Sequence, residues 1–199
     1  MLKDLLNQIS RSMGGTLGGL VNKLTGKVVK EVQNVHKSFT FQALPKTVDE
    51  LKLLPEATLS DPYAVAALSV LALTRYAEDK EACYEMLSFL KGPDPLSTAE
   101  KMHIADRFMD GKSYKPLSFF EGAVPGNNYT PSQPYKVKVS SNPYSFQNDG
   151  WAVLYMHSGG SDNERPVRLR KKPSTGQWFL VEIQYLGDIR LPASEDKWA

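Results

Sequence analysis

An α+β fold, with helices first and an antiparallel sheet after them, follows from three observations in this 199-residue chain. Residues 60 to 111 carry apolar side chains at helical spacing between clear start and stop signals, whereas residues 135 to 191 read as short alternating strands. Between these blocks, residues 112 to 134 collect Pro116, Pro125, Pro131 and Pro134 among Gly122, Gly126, Asn127 and Asn128. Helices in one block and strands in another predict segregated layers rather than alternating βαβ units.

The N-terminal stretch comes first in chain order. From Leu2 to Val35 the residues Leu2, Leu5, Leu6, Ile9, Met13, Leu17, Leu20, Leu24, Val28, Val32 and Val35 recur at three- and four-residue steps, the stripe of an amphipathic helix. Gly14, Gly15, Gly18, Gly19 and Gly26 interrupt it, each costing about 0.5 to 1 kcal/mol relative to Ala. Their small-xxx-small spacing admits close approach of another backbone. Residues 1 to 40 therefore form an amphipathic, glycine-containing appendage. It is expected to pack on its own domain or a sister chain, to lie on a membrane surface, or to be a mobile tail. Lys3, Arg11, Lys23, Lys27 and Lys30 preclude an ordinary membrane span.

Residues 41 to 199 form one α+β domain, with helices within 47 to 111 and strands within 135 to 191. Thr47-Val48-Asp49-Glu50 is a capping box for a short helix ending before Pro55. Asp61 and Pro62 open the helix Tyr63 to Tyr76, whose run AVAALSVLAL is apolar on nearly every side and so belongs at the centre. After a break near Asp79, Cys83, Leu87 and Leu90 share a face, and Gly92 with Pro93 ends that helix. Ser97 to Glu100 is a second capping box, for a helix ending at Gly111. Tyr114, Phe119, Phe120 and Tyr129 should pin residues 112 to 134 as a long ordered loop. Strands are expected at Tyr135 to Ser140, Trp151 to His157, Pro166 to Lys172 and Gln177 to Ile183, with a short fifth at Asp188 to Leu191. Pro173-Ser174-Thr175-Gly176 supplies a hairpin turn.

Charge is nearly balanced, with 24 Lys/Arg and 22 Asp/Glu, so bulk electrostatics do not indicate a polyanion binder. Residues 1 to 45 carry a net +4, residues 46 to 132 a net −4 and residues 133 to 199 a net +2. A single cysteine, Cys83, excludes an intrachain disulfide framework and fits a reducing compartment. With no signal-peptide pattern and no apolar run of spanning length, the expectation is a soluble, cytoplasmic protein.

No strong catalytic or nucleotide motif is present. Gly111-Lys112-Ser113 ends a helix, and Asp106 stands where a phosphate-binding loop needs glycine. His157, Ser158 and Asp162 have hydrolase residue types without the G-x-S-x-G elbow. His103 has Arg107 one turn away, where a metal site would want a second ligand, so no metal is expected.

Two constellations on the strands are candidates. Lys136 and Lys138 alternate on one strand, and Arg168, Arg170 and Lys172 on another; adjacent strands would make a basic stripe for a phosphate or an acidic partner. The plain alternative is a solvated face whose charges discourage unwanted strand pairing. The second depends on register. If Lys172 pairs with Gln177, then Val167, Leu169, Trp178, Leu180 and Glu182 share a face, while Trp151, Val153, Tyr155 and His157 are in phase with one another. A curved sheet packed on helices would then gather Trp151, Tyr155, His157, Trp178 and Glu182 around a small pocket, with Glu182 or His157 as polar anchor. A packed aromatic core with Glu182 at its edge is the plain alternative, and a one-residue slip exchanges the faces.

The segments TVDELKLLPEATLSDPYAVAALSVLALTRY, FLKGPDPLSTAEK, PGNNYTPSQPYKVKVSSNPYS and RPVRLRKKPSTGQWFLVEIQYLGDIRLP together resemble a bacterial family catalogued as domain of unknown function 6935. The resemblance covers roughly residues 45 to 192 and transfers no catalytic residue. The order of helices and sheet, with the late strand GQWFLVEI, is also similar to cone-shaped α+β domains of the nuclear transport factor type, folds that host enzymes, ligand binders and scaffolds alike.

The expected function is accordingly a binding or protein-interaction module without catalytic activity or cofactor, acting on an unknown protein partner or small ligand. Self-association through residues 1 to 37 is an accompanying expectation, specific nucleic-acid binding is not expected, and membrane contact is not favoured. The alternatives are a small-molecule enzyme with its pocket on the concave face of the sheet, using Glu182 and His157, and a membrane-surface protein acting through residues 1 to 37.

Overall fold

A computed structural model describes residues 35 to 198. The amphipathic stripe, its glycine pairs and nearly all of the proposed self-association segment lie outside these residues. Five strands form one antiparallel sheet in the order β1 (His36–Phe41), β2 (Tyr135–Ser140), β3 (Trp151–Met156), β4 (Arg165–Lys171) and β5 (Trp178–Glu182). The four strands from Tyr135 onward sit where their alternation predicts. The fifth does not. Asp188 to Leu191 is not a strand: Asp188 has a left-handed φ of 48°, and the Arg190 amide bonds Gly160 instead of a ladder. The missing strand is β1, which apart from Phe41 lies in the stretch assigned to the helical appendage, and it pairs along its whole length with β2. HKSFTF alternates correctly for a half-buried strand, but the helical stripe that runs into Val35 masks it.

The helices are α1 (Val48–Lys52), α2 (Pro62–Thr74), α3 (Lys80–Lys91), α4 (Thr98–Phe108) and α5 (Tyr114–Leu117). Their starts follow the sequence signals because each cap satisfies an amide that the helix cannot. Thr47 accepts from Glu50 N, Asp61 from Tyr63 N at 3.0 Å, Asp79 from Ala82 N at 3.0 Å, and Ser97 with Glu100 completes a reciprocal capping box. Helix α2 is buried at every position except Thr74, lying against the sheet and against α3. Its Leu68, Leu71 and Leu73 are wholly buried, each contributing about 1.5 to 3 kcal/mol. The polar Ser69 survives there because its hydroxyl bonds Ala66 O at 2.7 Å and the Tyr185 hydroxyl at 2.6 Å.

Residues 112 to 134 are ordered by their rings, as expected: Phe119, Phe120 and Tyr129 are buried, and Tyr114 stacks on Tyr129 with centroids 5.2 Å apart. They also contain one helical turn, α5, in a stretch expected to be loop throughout. Pro116 fits because it stands in the first turn, where its missing N–H has no intrahelical acceptor. No helix among the described residues is long and apolar enough to cross a membrane.

Candidate functional site

The register of the sheet decides which side chains meet. Ala152, Leu154 and Met156 of β3 lie opposite Leu169, Val167 and Arg165, and the apolar members are fully buried toward the helices. Trp151, Val153 and Tyr155 therefore point to the outer face, where each is half-buried, opposite Arg170, Arg168 and Pro166. Lys136, Lys138 and Ser140 occupy the same outer face of β2, since Val137 and Val139 are buried on the inner one. Trp151, Tyr155 and the basic residues thus share the outer surface of the sheet, opposite the face that α2 covers.

The hairpin between β4 and β5 begins in the expected register, with Lys172 N bonded to Gln177 O at 2.8 Å and Gly176 in a turn at φ +74°. Leu180 lies opposite Leu169, but the next pair is Glu182 with Arg168, because Val181 is inserted as a β-bulge. That single extra residue exchanges the faces. Glu182 leaves the company of Val167, Leu169 and Leu180 and bonds Arg168 Nη1 at 2.9 Å on the outer surface. Trp178 stays on the inner side, with its ring 6.1 Å from Phe146 and Lys171 over it at 5.9 Å. The expected grouping of Trp178 with Glu182 is therefore divided between the two faces.

His157 follows β3 into a depression lined also by His36, Ser38, Lys138, Ser140 and Glu164, whereas Glu182 lines another with Glu100 and His103. The sheet does not bring Glu182 and His157 into a common site. Ser158 is buried, donating to Ser118 Oγ at 2.8 Å, and Asp162 pairs with Arg190. Among the described residues, no three His, Cys, Asp or Glu side chains converge on a metal position.

Pairing divides the cations of the outer face. Lys138 and Lys136 approach Glu121 at 2.9 and 3.5 Å; the hydrogen bond from Lys138 and the two positive charges hold that carboxyl below its ordinary pKa. Arg168 is balanced by Glu182. Arg170 and Lys172 have no carboxylate partner among the described residues, and Arg170 instead lies over the Trp151 ring at 5.1 Å. The uncompensated charge is therefore concentrated at the hairpin end of the face.

A cavity of about 310 Å³ opens there, walled by Trp151, Phe179, Arg170, Lys172, Lys91 and Asp94. Lys91 ends α3, and its side chain is only 3% exposed, yet it pairs with Glu100 Oε1 at 2.7 Å and donates to the carbonyl of the bulge residue Val181 at 3.2 Å. The bulge thus supplies an acceptor that a regular ladder would have used elsewhere. Burial raises the Glu100 pKa, but hydrogen bonds from Lys91 and Ser97 outweigh it and leave the carboxyl below its ordinary value. Sequence reasoning missed Lys91, Phe179 and Asp94. One signal for Lys91 was present, since it follows Cys83 and Leu87 at four-residue steps and so falls on the buried face of α3.

A family model described as a domain of unknown function, DUF6935, matches residues 43–193. The chain belongs to the DUF6935 family. In this DUF6935 chain the matched range contains α1 to α5, β2 to β5 and every residue walling the hairpin-end cavity, whereas β1 precedes it. No curated protein and no solved structure matches the chain, so the likeness to nuclear transport factor folds gains no support from a structural relative.

Proposed function

We propose that this DUF6935 protein is a non-catalytic binding module that takes an anionic ligand on the outer face of its sheet, at the hairpin end. The observation that carries this reading is the placement of Arg170 and Lys172, uncompensated among the described residues, beside the half-buried rings of Trp151 and Phe179 around one cavity. Positive charge next to apolar area attracts an anion and also retains a non-polar part of it. The rival enzyme reading relied on Glu182 with His157, and their separate depressions lend it no support. We place the protein in the cytoplasm, on the strength of Cys83, a lone thiol buried in the core.

The test is a thermal-shift screen of the full chain against anionic, neutral and cationic metabolites, repeated with Arg170→Glu plus Lys172→Glu. A ligand at 100 times its Kd adds about 2.7 kcal/mol, which raises Tm by about 5 °C or more for a chain of this size. Shifts confined to anions and abolished by the charge reversals are expected. Shifts produced by neutral or cationic compounds, or unchanged in the variant, would refute the reading.

A further inference from the structure

The ammonium of Lys91 has three N–H donors. Two are engaged, by Glu100 Oε1 at 2.7 Å and by the Val181 carbonyl at 3.2 Å, which leaves the third without a protein acceptor among the described residues. A buried cation with a spare donor is costly unless something completes its shell. Lys91 is among the residues that wall the hairpin-end cavity, and an acceptor on a ligand bound there would complete the shell.

The rest of the wall selects what accompanies that acceptor. Trp151 presents an indole already covered on one side by the Arg170 guanidinium, and the Phe179 ring is wedged against Gly92, where even a Cβ would lie 2.2 Å from it. Pro93 and Pro173 add rigid backbone to the lining, and Asp94 is the one carboxylate in a wall that also holds Arg170, Lys171 and Lys172. Flat, rigid, apolar surfaces with surplus cations suit a planar ring bearing a negative group. At about 310 Å³ the cavity is at the small end of ligand sites, so it fits one ring system and its anion.

We infer that the cavity is a specific site for a small aromatic anion, a planar ring carrying a carboxylate or phosphate, in which Lys91 anchors the anion and Trp151 with Phe179 holds the ring. This rests on the anion-binding reading above and narrows it to one ligand class and one anchoring residue. Lys91 comes from the end of α3, and its Val181 contact depends on the bulge, so the site exists only once helix and hairpin have docked. Charge-assisted hydrogen bonding and ring contact each supply about tenfold or more in affinity.

The experiment is isothermal titration of the full chain with 1-naphthoate and 1-naphthyl phosphate, each beside its neutral counterpart, 1-naphthamide or 1-naphthol, and beside acetate and inorganic phosphate. Saturable binding of at least one aromatic anion is expected, about tenfold tighter than its neutral ring or the bare anion and weakened about tenfold by Lys91→Met and by Trp151→Leu. Whichever of the two acids binds identifies the charged group. Should Lys91→Met not fold, Trp151→Leu and Arg170→Gln decide: both must weaken binding, and unchanged affinity in either overturns the inference. Equal binding of bare and aromatic anions, insensitive to Trp151→Leu, would overturn the inference while leaving the anion-binding reading intact. Failure of every anion to bind would overturn both.

Discussion

Gly92 concentrates two constraints in one residue. It closes α3 at φ +63°, ψ −115°, a backbone region that L side chains avoid, and the space where its Cβ would stand is taken by the Phe179 ring. Gly92→Ala should therefore destabilise the fold by about 3 kcal/mol, part from the backbone and part from the ring overlap. Urea denaturation measures this, and adding Phe179→Leu should recover the second part alone. A loss below about 1 kcal/mol would show that the turn after α3 relaxes freely. Lys91 also shows how much a single position can carry. Its place on the apolar stripe of α3 could be read from spacing, but its partners Glu100 and Val181 could not, because the latter is 90 residues away.

At the scale of elements, the β5 bulge has the largest consequence. Alternation along GQWFLVEI makes Glu182 an inward residue if the strand is regular, and the hairpin begins in the regular register. Insertion of Val181 turns Glu182 outward to Arg168, so a carboxylate expected in apolar company becomes one half of a surface ion pair. Glu182→Leu should accordingly change stability by less than about 1 kcal/mol, the worth of an exposed pair. In an unbulged strand the same change would replace a buried carboxylate and raise stability well beyond that. A gain above about 2 kcal/mol in the urea titration would mean the strand runs without its bulge. The helices contrast with this. Asp61, Asp79 and Ser97 cap α2, α3 and α4 through atoms two or three residues away, so their starts were legible in the chain itself.

For the whole molecule, pH is the most direct probe of how α3, α4 and the sheet are tied together. The Glu100 carboxyl has a lower pKa folded than unfolded, because the bonds from Lys91 and Ser97 outweigh its burial. Its stabilisation is therefore complete above the ordinary carboxylate pKa and is lost as pH falls through that value toward the lower folded one. Glu100→Gln should cost about 2 kcal/mol at pH 7, less than a fully buried pair because the Glu100 side chain is 38% exposed. The gap between wild type and variant should close on acidification. Urea midpoints measured at pH 7 and at pH below 4.5 check this, and a gap that stayed constant would show that the loss does not come from the charge of the Glu100 carboxylate.

By itself the sequence determined the α+β class, the starts of α1 to α4, the burial of α2 and the four strands from Tyr135 onward. These depend on caps, turns and periodicity, whose partners lie within a few residues. Tertiary structure alone decided that β1 completes the sheet, that Trp151 and Tyr155 lie on the outer face beside the basic residues, and that Glu182 joins them. It also decided that Lys91 meets the bulge at the wall of a cavity. Each of these requires segments far apart in the chain to settle on a register, and a shift of one residue in a strand reverses every face without altering any local signal.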